Sequence, residues 1–142
     1  MKNLLMLLLS LSLVSVSAKA EEVFYCTSEL ATGYVFKNGS WQTSDFELER
    51  WTLKFNADDT QVEGLASNPM NCTAPYSVLD LSHLLFCVND QHSHQVLIFN
   101  KKTKDFEFSG ISGFSYAGTD QDTAEEYGID TSALYAGSCE AF

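Results

Sequence analysis

The sequence predicts an all-β protein: one antiparallel meander, closed as a barrel or folded as a sandwich, with one short helix near the C-terminus and two disulfides. Two observations predict the strands. Short runs rich in aromatic and β-branched residues recur along the chain, and turn-forming residues separate them at spacings of about eight to twelve residues. A third, the four cysteines Cys26, Cys72, Cys87 and Cys139, predicts the cross-links.

The fold begins after a leader. "MKNLLMLLLSLSLVSVSAKA" has an early lysine, an apolar run from Leu4 to Val16 and the A-x-A ending Ala18-Lys19-Ala20. This is the pattern of a signal peptide cleaved after Ala20. The apolar run is short and serine-rich for a transmembrane anchor, and no cysteine follows the cleavage site to carry a lipid. Residues 1–20 are therefore read as leader and 21–142 as a single β domain in the periplasm. Export to an oxidising compartment makes disulfides the natural use of an even cysteine count. Cys72 with Cys87, and Cys26 with Cys139, is the preferred pairing: the first would flank a short connection and the second would tie the chain ends. A zinc site is the alternative, but no C-x2-C pair supports it.

The strands follow in order. Val23 to Thr27 opens the domain. "YVFKNGSWQ" is a hairpin, because Asn-Gly between aromatic flanks favours a two-residue turn. "RWTLKF" alternates, with Trp51, Leu53 and Phe55 on one face. Phe46 and Leu48 have the opposite parity, which predicts a bulge or bend near Glu49. "NADD" turns into "TQVEGL", and "ASNPMNCTAPYS", holding both prolines, reads as a long loop. "HLLFCV", "QVLIF" and "FEFSGISGFSY" continue the sheet across the turns "NDQHSH" and "NKKTKD", and "ALYAGSC" closes it. Only "TAEEYG" looks helical: Thr123 and Glu126 make a capping box, and Gly128 supplies a stop.

Charge narrows the function. Cleavage removes Lys2 and Lys19 but no acid, leaving six basic residues against nineteen acidic ones, a net charge of −13. Such a chain is unsuited to nucleic acid or to anionic lipid, both of which select cationic patches. No membrane insertion is expected once the leader is gone. The field instead favours a basic protein partner. From Asp105 to Phe142 there are eight acids and no base. Four of those acids lie in "DQDTAEEYG", Asp120 to Gly128.

The signatures of chemistry fail one by one. On an EF-hand template, Ala124, Glu125 and Thr131 fall where Asp or Asn, Gly, and Glu are required. "GFSYA" comes within one residue of a nucleophile elbow, yet the chain lacks the α/β sheet that the elbow needs. His92 and His94, with Asp90 and His83 nearby, could chelate zinc or copper. An exposed polar hairpin tip accounts for them better, so no metal is expected and these two histidines are the candidates should one bind. The chain calls for no cofactor and reads as a non-enzyme. The capping box accounts for Thr123 and Glu126 locally. Asp120, Asp122, Glu125, Glu126 and Tyr127 then form an acidic, tyrosine-bearing tip suited to bind a cationic cleft.

The layout of "VFYC", "VFKNGSW", "FNKKTKDF" and a terminal "GSC" resembles small exported β proteins of Gram-negative bacteria. Among these it most resembles periplasmic immunity proteins of type VI secretion cell-wall hydrolase effectors, of muramidase type. The resemblance implies an inhibitor that plugs the cleft of a basic cell-wall hydrolase, and it admits a homodimer. It transfers no inhibitory residue position by position. The alternative is a lipocalin-like module for a small ligand or metal, with the H-x-H turn as its site.

Overall fold

The computed structural model describes residues 19–74, 81–89, 95–110 and 131–142. Nine strands form one antiparallel sheet: β1 (Glu22–Lys37), β2 (Ser40–Asp45), β3 (Arg50–Phe55), β4 (Gln61–Glu63), β5 (Met70–Thr73), β6 (Leu84–Val88), β7 (Gln95–Asn100), β8 (Asp105–Gly110) and β9 (Thr131–Ala141). β3 to β9 follow as a meander. β1 pairs with β3 on one side and β9 on the other, which closes an eight-stranded barrel. The sandwich is thereby excluded.

β1 organises the molecule. Its first half, Glu22 to Thr27, pairs with β3, and its second half, Thr32 to Lys37, pairs with β2 on the same side. β9 runs along its other side from Phe24↔Ala141 to Val35↔Thr131. The barrel therefore carries a three-stranded extension, β2–β1–β9. At its end the expected Asn-Gly turn is present, with both Asn38 (φ 55°) and Gly39 (φ 75°) left-handed, as a type I′ hairpin requires.

A bulge between Ser28 and Leu30 joins the two halves of β1. Before it the even positions Phe24, Cys26 and Ser28 are buried; after it Ala31 is. The bulge or bend expected near Glu49 is a break between β2 and β3, where 46–49 is a connection with no strand pairing. The bulge in β1 is a separate feature beside it. Ser28 and Glu49 hold the two together. The Glu49 amide donates to Ser28 Oγ at 2.7 Å, and the Ser28 amide donates to the Glu49 carbonyl at 2.9 Å. Gly137 faces Ser28 across the pair, and a Cβ there would sit 2.1 Å from the Thr27 carbonyl oxygen. Only glycine fits so close an approach.

Small eight-stranded barrels have interiors about wide enough for side chains to fill. Here Phe24, Phe55 and Phe99 pack with ring centroids 4.9–5.8 Å apart. Lys104 Nζ lies 4.8 Å from the centre of the Phe24 ring, a cation–π contact. Higher up, Trp51 meets Phe106, Phe108 and Tyr135 at 5.2–6.0 Å. Both disulfides are inside, each between directly paired residues: Cys26–Cys139 across β1–β9 and Cys72–Cys87 across β5–β6.

The predicted short helix is a correction. No helix occurs among the described residues, and Thr123 to Tyr127 lie outside them. The signal behind that expectation was local. A capping box contributes about 1 kcal/mol, whereas helix nucleation is costly for one or two turns without tertiary support. Two further corrections concern strands. Met70–Thr73, read as loop, is β5, with Met70 and Cys72 buried. The opening strand and the hairpin's first strand are one continuous sixteen-residue β1.

Two disulfides indicate an oxidising environment, extracellular or periplasmic. No described helix is long and apolar enough to cross a membrane.

Candidate functional site

Two basic residues, Lys54 and Lys101, are matched by acids near one end of the barrel. Lys54 pairs with Glu21 at 2.8 Å, and Lys101 pairs with Glu22 at 3.0 Å and Asp59 at 2.9 Å. Burial alone would raise the Asp59 carboxyl, but hydrogen bonds from Lys19 and Lys101 outweigh it and hold the group below its usual range. Burial would likewise lower the Lys101 ammonium, yet its hydrogen bonds to Asp59 and Glu22 leave it raised. Cleavage after Ala20 would remove Lys19 and leave Lys101 as the partner of Asp59.

The outer face of β1, β9 and β8 has the opposite character. Side chains of paired residues in an antiparallel sheet share a face. Leu134 therefore lies between Thr32 and Ser109, Ala136 between Leu30 and Glu107, and Ser138 between Thr27 and Asp105. Ser132 lies beside Tyr34, and Glu140 beside Tyr25. The bulge is what turns the even positions Leu30 and Tyr34 outward, opposite to the buried even positions Phe24, Cys26 and Ser28 before it. The outward positions of β9 from Ser132 to Ser138 are mostly small, so the strand forms the floor of a shallow trough between taller side chains of β1 and β8.

The trough changes along its length. Its upper part, lined by Tyr34, Ser109, Ala133 and Leu134, is a largely apolar groove of about 320 Å³. Tyr34 is 49 % exposed and Leu30 53 %. Its lower part, also about 320 Å³, is lined by Glu29, Asp105 and Glu107, with Leu30 at its upper edge, around Ala136 and Gly137. Ser138 Oγ donates to Glu29 Oε1 at 2.7 Å. Among the described residues none of Glu29, Asp105, Glu107 and Glu140 has an ion-pair partner.

The sequence-predicted tip residues Asp120, Asp122, Glu125, Glu126 and Tyr127 lie outside the described residues. The chain carrying them leaves the sheet at Gly110 and re-enters at Thr131, beside the upper trough. Tyr135 belongs to the core: it packs on Trp51, and its hydroxyl reaches Glu49 Oε1 at 3.5 Å. Burial first, then the Glu49 charge, raises its hydroxyl above the usual tyrosine range.

His92 and His94 also lie outside the described residues. His83 immediately precedes β6, whereas the segment bearing the other two follows the far end of that strand. Five strand residues separate those ends by about 17 Å. Among the described residues no three metal-ligating side chains converge.

Sequence reading missed the trough, although its parity was visible in "DFEFS", where acids alternate with core phenylalanines. The missing information was which strand lies beside β8. No protein-family model matches the chain, and neither does any curated protein or solved structure.

Proposed function

We propose that this protein is a periplasmic immunity protein that binds and neutralises a peptidoglycan hydrolase of muramidase type, blocking its cleft without catalysing a reaction. One observation carries the reading: the β1–β9–β8 face joins exposed apolar side chains to Glu29, Asp105, Glu107 and Glu140, with no base among them. Enzymes that act on an anionic cell-wall polymer commonly present cationic clefts, and an acidic field accelerates encounter with such a surface. Apolar area then supplies contact once water is displaced. The oxidising compartment indicated by the disulfides is where such a partner would be met.

A closed barrel is also the scaffold of lipocalin-like ligand binders. The described interior positions are instead taken up by the packed Phe24, Phe55 and Phe99 rings and by both disulfides, which favours a role for the outside. In the test, the mature protein is added to the cell-wall hydrolase encoded beside it and peptidoglycan cleavage is followed. The reading predicts loss of cleavage at equimolar ratio. Undiminished cleavage at large excess would refute it.

A further inference from the structure

We infer that the trough along β9 is a directional docking surface for a protein segment that is apolar at one end and cationic at the other. The inference rests on the proposed inhibitor role and adds to it the place, the orientation and the chemistry of the contact.

The apolar part is the starting point. Leu30, Tyr34 and Leu134 are exposed on one continuous sheet face, and contiguous apolar surface of this kind marks interaction sites. A second exposed apolar pair, Phe86 and Ile98, lies on β6–β7 on the far side of Glu107. On the β3–β4 side the outward pair Lys54 and Glu63 is polar, and Lys54 is tied to Glu21.

Charge selects the occupant. Immediately below Leu134 the same face passes to Glu107, Glu29, Asp105 and Glu140. Ala133–Leu134 and Ala136–Gly137 are three residues apart along β9, so the two halves are centred about 10 Å apart. A segment with a large apolar side chain and a lysine or arginine about 10 Å from it would meet both halves. The aliphatic stem of the cation would lie on Ala136 and Gly137 while its head reached the carboxylates. A second copy of this chain is a poor occupant, because bringing two such faces together sets carboxylates against carboxylates. A purely apolar occupant would cover the acids without matching them. In the assigned direction the apolar end sits by Tyr34 and the cationic end by Ser138.

Three synthetic peptides of equal length test this by titration into ¹⁵N-labelled mature protein: one with tryptophan and arginine about 10 Å apart, one with only the arginine, and one with only the tryptophan. The inference predicts that the first binds about tenfold tighter than either of the others, a difference of about 1.4 kcal/mol. Its amide shifts should be confined to β1, β8 and β9. Leu134→Gln and Glu107→Gln should each weaken it severalfold, whereas Lys54→Gln on β3, outside the trough and tied to Glu21, should not. Circular dichroism checks that each variant is folded. Shifts centred on another face, equal binding of all three peptides, or a self-associated dimer that covers the trough would each overturn the inference. A muramidase neutralised equally by wild type and by both trough variants would overturn the trough while leaving the inhibitor role standing. Peptide binding without any neutralised hydrolase would do the reverse.

Discussion

Cys26 and Cys139 are direct partners across the β1–β9 pairing, the seam at which the first and last strands close the barrel, and their disulfide spans 113 residues of sequence. Closing so long a loop by chance is the main entropic obstacle to forming this ladder. The cross-link removes that cost from folding. In the loop-entropy model it contributes about 4.7 kcal/mol, against about 3 kcal/mol for the fifteen-residue Cys72–Cys87 loop.

Replacing Cys26 and Cys139 together with alanine should therefore destabilise the protein more than replacing Cys72 and Cys87. The expected gap is about 1–2 kcal/mol. Urea denaturation midpoints of the two double variants check this, and equal midpoints would show that the closing seam has no special role.

The bulge in β1 depends on two residues. Ser28→Ala leaves the Glu49 amide without its 2.7 Å acceptor and should cost about 1–3 kcal/mol. Gly137→Ala pushes a methyl group into the Thr27 carbonyl and should cost about 2 kcal/mol through overpacking and strand displacement. Thermal unfolding measures both. If Gly137→Ala were neutral, the close approach at the bulge would be wrong.

Stability should fall at both ends of the pH scale. The Asp59 carboxyl is lower in the folded state than in the unfolded chain, so its contribution is complete above about pH 4 and is lost as pH falls through the folded value. Lys101 and Tyr135 are raised. Their contributions are complete below about pH 10 and are lost as pH rises through their folded values. Lys101→Met should cost about 1–2 kcal/mol at neutral pH and flatten the acid limb that Asp59 produces. Denaturation midpoints across the pH range test both the window and its change in the variant.

Much of the barrel was legible in the sequence because its signals are local. Asn38-Gly39 specifies its own turn, the alternation Trp51–Leu53–Phe55 points inward as read, and the cysteine spacings favour the two pairs observed. What stayed hidden depends on partners distant in sequence. The parity break at Ser28–Leu30 resembles the end of a strand unless β9 is known to run beside it. Met70 and Cys72 look like part of a proline-bounded loop until β4 and β6 flank them. The trough is hidden for the same reason: Leu30, Glu107 and Ala136 are neighbours only because the barrel closes. The helix read from Thr123 to Tyr127 rested only on local cap and stop signals, and no helix is present among the described residues.

The central claim is that the acidic, apolar face of β1, β9 and β8 engages a cationic hydrolase. Its most direct test is the association rate of the mature protein with the muramidase encoded beside it, measured over a range of salt concentrations for wild type and for the Glu29→Lys, Glu107→Lys double variant. The account predicts that the wild-type rate falls steeply with salt, and that the variant associates at least about tenfold more slowly at low salt with a weaker salt dependence. Identical rates and identical salt slopes for the two proteins would contradict it.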